Sequence, residues 1–264
     1  MVRKLTLVLS LAVLSLGAAA QAPAPAAAPA LTLDQIVAKN IQARGGLDKL
    51  KAVKSMRWTA KLMVQGMEIP ITMEFKRPNN ARMDITLQGM TQTMAYDGKS
   101  GWSVNPFGGG SKDPQPMGED EMKQMEEQAD FDGYFVDSQQ KGYKLELVGK
   151  EPVEGSEAYK IKVTSKTGDV HNVYIDADSF LDVKSESKRT IRGTEQEGEA
   201  LVSDYKEVDG LMFPFSIDAG QKGGQGRQKI VIEKIELNPT IDDARFKMPA
   251  APKPETPPVK SPGF

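Results

Sequence analysis

The chain has 264 residues, with 34 basic and 36 acidic side chains, one histidine and no cysteine. A formal net charge of −2 argues against nucleic-acid binding, which requires a basic surface, and against tight electrostatic docking on anionic lipid. The lack of cysteine excludes disulfides, cysteine nucleophiles, cysteine metal sites and lipid attachment through cysteine, and one histidine excludes a histidine-based metal cluster within one chain.

The N-terminus has the pattern of a secretory signal peptide. A basic start at Arg3 and Lys4 precedes an apolar run from Leu5 to Leu16, and small residues follow up to Ala20. The apolar run is too short to span a bilayer as a stable anchor. Cleavage after Ala20 is therefore expected to release a periplasmic protein that is not lipid-anchored.

The rest of the chain is predicted to form one domain between two unstructured ends. Residues 21–31 are an Ala/Pro-rich linker, residues 32–249 are the domain, and residues 250–264 are a proline-rich, disordered tail. Removing residues 1–20 takes away two basic side chains and no acidic one, which changes the net charge from −2 to −4.

Three helices are predicted. Thr32 and Gln35 have the spacing of a capping box at the start of the first helix, which Gly45-Gly46 ends. A short second helix covers residues 47–53. Residues 118–128 alternate with helical period and form the one convincing helix in the middle of the chain.

The remaining segments alternate with period two and predict a sheet of about eleven antiparallel strands with one apolar and one wet face. The first strand begins near Met56 and the second ends at Lys76, and the third and fourth run up to Tyr96. Turn signals separate the later strands, which lie at 143–148, 158–165, 170–176, 181–187, 197–205, 212–217 and 229–237. Such a large curved sheet must cover its apolar face, and helices packed into the concavity are the expected cover.

Seven of the thirteen methionines lie between Met56 and Met94, within the first four strands. Methionine can repack around ligands of variable shape, although it also fills ordinary cores, and both interpretations stay open. Trp102 is either core or cavity lining. The candidates for a hydrophobic ligand cavity are Trp58, Leu62, Val64, Ile71, Met73, Phe75, Met83, Ile85, Leu87, Met94 and Trp102.

The sequence lacks the patterns of an enzyme or a metal site. A Ser/His/Asp triad would need His171, but the sequence contains no Gly-x-Ser-x-Gly motif to supply the serine. His171 is therefore expected on a sheet face, solvated or hydrogen-bonded. The acidic pairs at 130–132 and 176–178 do not continue with calcium-ligand spacing, so turn chemistry explains them. A pair of acids of the glycosidase kind stays open, because distances are invisible in a sequence. No catalytic residue, metal or cofactor is predicted.

Three segments carry a family resemblance. Lys76-Arg77-Pro78-Asn79 closes the second strand, Asp97-Gly98-Lys99-Ser100-Gly101-Trp102 and its continuation to Phe107 follow the fourth, and Ile241 to Pro249 ends the domain. In this order and spacing they resemble the periplasmic lipoprotein carriers of the LolA/LolB-like family. The resemblance implies a half β-barrel, incomplete and with helices as a lid, and it covers about residues 33–249.

The resemblance implies carriage. Proteins of this type accept the acyl chains of lipoproteins from an inner-membrane releasing complex and pass them to an outer-membrane acceptor. A monomer is expected. By position, Arg77 would hold the lid by hydrogen bonds to its carbonyls, and Met122 and Met125 would be lid residues. Loss of such a rim hydrogen bond would cost about 1–3 kcal/mol of stability.

The chain also departs from the family pattern. Ala81 and Met83 stand where these carriers place aromatic residues after the Lys-Arg-Pro-Asn segment. Another lipid or hydrophobic cargo therefore stays open. So does a second class of function, in which the same fold acts as an envelope sensor or regulatory module that signals through a partner protein. A hydrolase is the least favoured alternative.

Overall fold

The computed structural model of the protein describes residues 30–191, 194–224 and 226–250. The predicted signal peptide, nearly all of the predicted linker and nearly all of the predicted tail lie outside these residues. Among the helices of the described residues, none has both the length and the apolar character needed to cross a bilayer.

The helices lie where the sequence predicts them: α1 (Leu33–Ala43), α2 (Leu47–Ala52) and α3 (Glu119–Ala129). The predicted capping box is present at α1, where Gln35 N donates to Thr32 Oγ1 and Thr32 N donates to Gln35 Oε1. The first turn of α3 carries three acidic residues. These negative charges stabilise the positive end of the helix dipole.

Thirteen strands of the described residues form one antiparallel sheet. They are β1 (Ser55–Val64), β2 (Met67–Lys76), β3 (Asn80–Leu87), β4 (Met90–Tyr96), β5 (Gly101–Val104), β6 (Gln115–Pro116), β7 (Lys144–Val153), β8 (Ser156–Thr164), β9 (Val170–Asp176), β10 (Asp182–Ile191), β11 (Thr194–Val208), β12 (Leu211–Gln221) and β13 (Gln228–Leu237). The sequence predicts about eleven. Strand β6 has two residues, too few for alternation to be visible.

The sheet is an incomplete barrel, because its edge strands β6 and β7 do not pair with each other. The order is β6-β5-β4-β3-β2-β1-β13-β12-β11-β10-β9-β8-β7. The first and last strands of the chain meet in the middle, with Met56 opposite Leu237 and Leu62 opposite Ile230. The fold class predicted from the sequence is confirmed.

One face of the sheet is apolar, as the period-two pattern predicts. Trp58, Met73, Met83 and Met94 lie opposite one another on β1 to β4 and form a continuous row, the methionine row. A second row of side chains, formed by Phe75, Ala81 and Tyr96, runs beside it on the same face. We call the side of the sheet that carries both rows the apolar face.

The lid consists of α3 and the segment 130–143 that follows it, and it covers the apolar face. Helix α3 packs against β3, β4 and β5. Its Met125 and Ala129 are buried against Ala81 and Tyr96, and Met94 and Met122 pack at the edge of this cluster. These contacts place α3 on the apolar face, as the sequence predicts.

The segment 130–143 continues the cover over the middle of the sheet. Val136 is fully buried in the main hydrophobic cluster, which the apolar face forms with Leu50 of α2. The ring of Phe131 lies 6.3 Å from that of Phe75. At the end of α1, Arg44 Nη1 donates to the backbone oxygen of Asp132 at 2.9 Å. Helices α1 and α2 therefore pack together with the lid.

The opposite, polar face of β1 to β5 is crossed by the end of the domain, residues 238–246. Phe246 is fully buried there. Lys76 Nζ donates to the backbone oxygen of Ile241 at 2.8 Å, and Arg245 pairs with the buried Glu74. This segment therefore closes the polar face while the lid closes the apolar one.

Candidate functional site

The apolar face brings most of the predicted cavity residues together. The main cluster includes Trp58, Leu62, Ile71, Met73, Phe75, Met83 and Ile85. Met94 belongs to the neighbouring cluster beneath α3. Val64 and Leu87 lie at the ends of the β1–β2 and β3–β4 hairpins, where each pairs with a methionine that is exposed. They mark the end of the apolar face.

Trp102 does not lie on the apolar face, and its assignment as cavity lining is wrong. Its cross-strand partner is Ala95, whereas Met94 of the methionine row is opposite Ser103. The indole is 4 % exposed and its Nε1 donates to the backbone oxygen of Phe246 at 2.9 Å. Trp102 is therefore a core residue beneath the end of the domain, which is the alternative that its sequence context left open.

Arg77 connects α2 to the lid at the end of β2. Its Nε donates to the backbone oxygen of Val53 at 2.7 Å, and Nη2 donates to that of Leu50 at 3.1 Å. Both Nη atoms donate to the carboxylate of Asp132, at 2.6 and 2.8 Å. The guanidinium also lies 4.6 Å from the centre of the Phe131 ring. Four hydrogen bonds thus reach α2 and the segment 130–143 from one side chain.

The electrostatics of this contact favour a closed lid. Asp132 is buried, and a buried carboxylate is stable only when it is paired. The hydrogen bonds with Asp132 raise the pKa of Arg77. Beside them, Lys141 Nζ donates to Asp130 Oδ1 and to the backbone oxygen of Gly133. One ion pair therefore joins the lid segment to Arg77, and a second one, between Asp130 and Lys141, joins the two ends of the segment to each other.

A polar groove of about 550 Å³ lies beside the lid. Its walls come from α3, the segment 130–143 and the turn between β8 and β9. Charged side chains of both signs line it, among them Arg77, Lys123, Glu126, Asp169 and Arg189. The groove therefore carries charges of both signs, in contrast to the apolar face that the lid covers.

A second polar contact, which no local sequence pattern predicts, holds the far end of α3. Glu127 accepts hydrogen bonds from Arg189 Nη2 on β10 and from the hydroxyl of Tyr134. His171 Nε2 on β9 lies 3.4 Å from Glu127 Oε1, and its ring stacks on Tyr134 with centroids 5.0 Å apart. The long sequence separation of these residues left no local signal.

Burial controls the protonation of His171. The side chain is almost fully buried on the apolar side of β9, and this burial lowers the pKa of His171 below its ordinary value of 6.5. The negative charges of Glu127 and Asp169 raise the pKa of His171, and the positive charge of Arg189 lowers it further. The imidazole is therefore neutral in the folded protein at neutral pH.

The domain is expected to lose stability as the pH falls below about 6.5. In that range the unfolded chain takes up a proton at His171 that the folded protein, with its lowered pKa, does not bind, so unfolding is favoured. The free energy of unfolding, measured by urea denaturation at pH 7, 6 and 5, should therefore decrease. In His171→Gln, which cannot titrate, the decrease should be smaller. If the free energy of unfolding depended on pH equally in the two proteins, the lowered pKa of His171 would be contradicted.

Comparison with known proteins identifies the fold. No protein-family model matches the chain, and neither does any curated protein sequence. Among solved structures, the chain is similar to a LolA superfamily protein from Nitrosomonas europaea, with 14 % identity, a TM-score of 0.54, and coverage of 83 % of this chain and 98 % of the other.

A second solved structure gives the same result. It is a domain from Vibrio parahaemolyticus assigned to outer membrane lipoprotein sorting, with 9 % identity and a TM-score of 0.52. The alignment covers 80 % of this chain and 94 % of that domain. At such low identity, these similarities show the fold alone.

Proposed function

Because the chain has the fold of LolA superfamily proteins, we propose that it is a soluble periplasmic carrier of acyl chains, which belong to a lipoprotein or to another lipid. The cargo lies between the apolar face and the lid. The carrier receives it from an inner-membrane complex and delivers it toward the outer membrane. The observation that carries the proposal is an apolar sheet face rich in methionine beneath a lid that polar contacts hold at its edge.

The lid is attached in a way that a lipid could displace. The apolar contacts of α3 come mainly from Met122, Met125 and Ala129, and Glu127 near its end forms an ion pair with Arg189. Burial of a large apolar side chain is worth about 1.5–3 kcal/mol, whereas an acyl chain of about sixteen carbons gains about 0.8 kcal/mol per methylene. The apolar gain from the cargo therefore exceeds that of the α3 side chains it replaces.

The methionine row suits a cargo of variable shape. Met73, Met83 and Met94 cross three strands side by side, and Met94 packs in one cluster with the lid methionines Met122 and Met125. Unbranched side chains with several rotatable bonds can repack around a flexible chain at low cost. The solved Vibrio parahaemolyticus domain, which is assigned to lipoprotein sorting, supports the same class of cargo.

Native mass spectrometry of the protein purified from an envelope extract tests the proposal. We expect a population with the added mass of one lipid or lipoprotein per chain, because the apolar face offers one continuous surface. The bound molecule should leave intact, without chemical change. Delipidated protein should take up a fluorescent acyl probe again.

Two results would contradict carriage. Protein that contains no lipid and takes up none after delipidation would exclude it, and steady conversion of a bound ester into acid and alcohol would indicate a hydrolase. Stable capture of an inner-membrane protein without any lipid would instead favour the sensor alternative.

A further inference from the structure

The two tryptophans of the chain differ in how their indole N–H groups are satisfied. Nε1 of Trp102 donates to a backbone oxygen. Nε1 of Trp58 is buried and has no hydrogen-bond partner among the described residues. Buried polar groups in proteins are nearly always paired, so an unpaired donor in the middle of the apolar face requires an explanation.

The neighbours of Trp58 on the apolar face are apolar side chains. Met73 and Ile235 lie directly opposite it on the two neighbouring strands. Phe75 and Phe213 meet the indole edge-to-face, with ring centroids at 5.9 and 6.4 Å. None of these side chains carries an oxygen or a charge, and an N–H directed at an aromatic ring gains only a weak interaction. The unpaired N–H therefore makes this position less stable than a phenylalanine of similar packing would.

We propose that Trp58 Nε1 donates a hydrogen bond to the ester carbonyl of a bound acyl ester. This inference rests on the proposed carrier function and names the chemistry of its cargo. A neutral carbonyl suits the position, because one donor can pair with it and its transfer into an apolar site is far less costly than that of a carboxylate. Trp58 thus selects esterified acyl chains over free hydrocarbons and over free fatty acids.

Trp58 begins the methionine row, and this position gives the cargo a direction. An acyl chain that extends from Trp58 along Met73, Met83 and Met94 would reach the methionines of α3. The carbonyl would then lie at the indole and the methylenes under the lid. One polar contact of this kind fixes the position of a flexible chain that apolar contacts alone would leave free to slide.

Competition binding tests the inference. A pyrene-labelled acyl ester is displaced from the full-length protein by methyl laurate, by pentadecane of similar size or by laurate. For each protein we take the affinity for methyl laurate relative to that for pentadecane, because an alkane leaves water more easily than an ester whatever the site. In Trp58→Phe the preference of ester over alkane should fall by about threefold to tenfold, the effect of one hydrogen bond. The smaller phenylalanine ring also loses packing contacts, but this loss weakens the binding of both ligands and therefore cancels in the ratio of their affinities. The matched control, Trp102→Phe, removes the other indole and should keep the wild-type preference.

A spectroscopic measurement covers the case in which Trp58→Phe does not fold. The chain has two tryptophans, so its nitrogen-15 NMR spectrum contains two indole signals, and Trp102→Phe assigns them. Methyl laurate should move the Trp58 indole proton downfield, as hydrogen bonding does, and pentadecane should not. Equal shifts with both ligands, or an unchanged ester preference in Trp58→Phe, would overturn the inference and leave the carrier function intact. A wild-type protein that binds none of the three ligands would overturn both.

Discussion

Met83→Glu is expected to abolish acyl-chain binding while leaving a folded protein. Met83 is only partly buried, in the middle of the methionine row, so a carboxylate there can stay hydrated when the site is empty. Bound acyl chains would bury that charge without a partner, at a cost of several kcal/mol. We expect the affinity for a fluorescent acyl ester to fall by about a hundredfold or more, with one cooperative thermal transition retained.

Met73→Glu is the matched comparison. Met73 lies directly opposite Met83 but is 7 % exposed and belongs to the buried part of the cluster. A glutamate there would be buried in the folded protein itself, and a loss above about 4 kcal/mol approaches the total stability of a domain. This variant should therefore unfold or aggregate. If Met83→Glu behaves in the same way, the row is ordinary core and the carrier proposal loses its main support.

The second large effect is expected at Arg77. Arg77→Leu removes both hydrogen bonds to the carboxylate of Asp132 and leaves a buried charge without a partner. Breaking a buried pair in this way costs about 3–5 kcal/mol, more than the 1–3 kcal/mol that a rim hydrogen bond alone predicts. Urea denaturation should show this loss, and uptake of a fluorescent acyl probe should become faster because the lid opens more easily.

A double variant separates the two causes of the instability. Asp132→Asn in the Arg77→Leu background removes the unpaired charge, so the double variant should be more stable than Arg77→Leu alone. Its probe uptake should remain fast, because the lid still lacks its contact with Arg77. Uptake kinetics equal to those of wild type in both variants would make Arg77 a structural residue with no role in the lid.

The sequence predicts the fold well, because the relevant signals are local. Period-two alternation predicts about eleven of the thirteen strands, and a capping box and a glycine pair define α1. Helical period and acidic residues in the first turn identify α3. The alternation also predicts which side chains share a face within one strand, and the rows across β1 to β4 follow from it.

The site is less predictable because its contacts cross long distances in the sequence. Strand β5 has four residues, so alternation says that Trp102 and Val104 share a face without saying which face; pairing with Ala95 decides it. Asp132 has the sequence context of a turn, and only the folded chain brings it to Arg77. The contact of Glu127 with Arg189 joins a helix to a strand 62 positions away, beyond any local pattern.

The pairing of β1 with β13 has a consequence for how the protein folds. Met56 on β1 pairs with Leu237 on β13, so the centre of the sheet joins opposite ends of the domain. Bringing these two strands together closes a loop of almost the whole domain, and the chain loses the entropy of that loop before the new contacts compensate for it. This step is therefore slow compared with the formation of hairpins between adjacent strands. The hairpins β1 to β4 and β7 to β9 can form early, but the sheet is not continuous until the last strand of the domain has been synthesised.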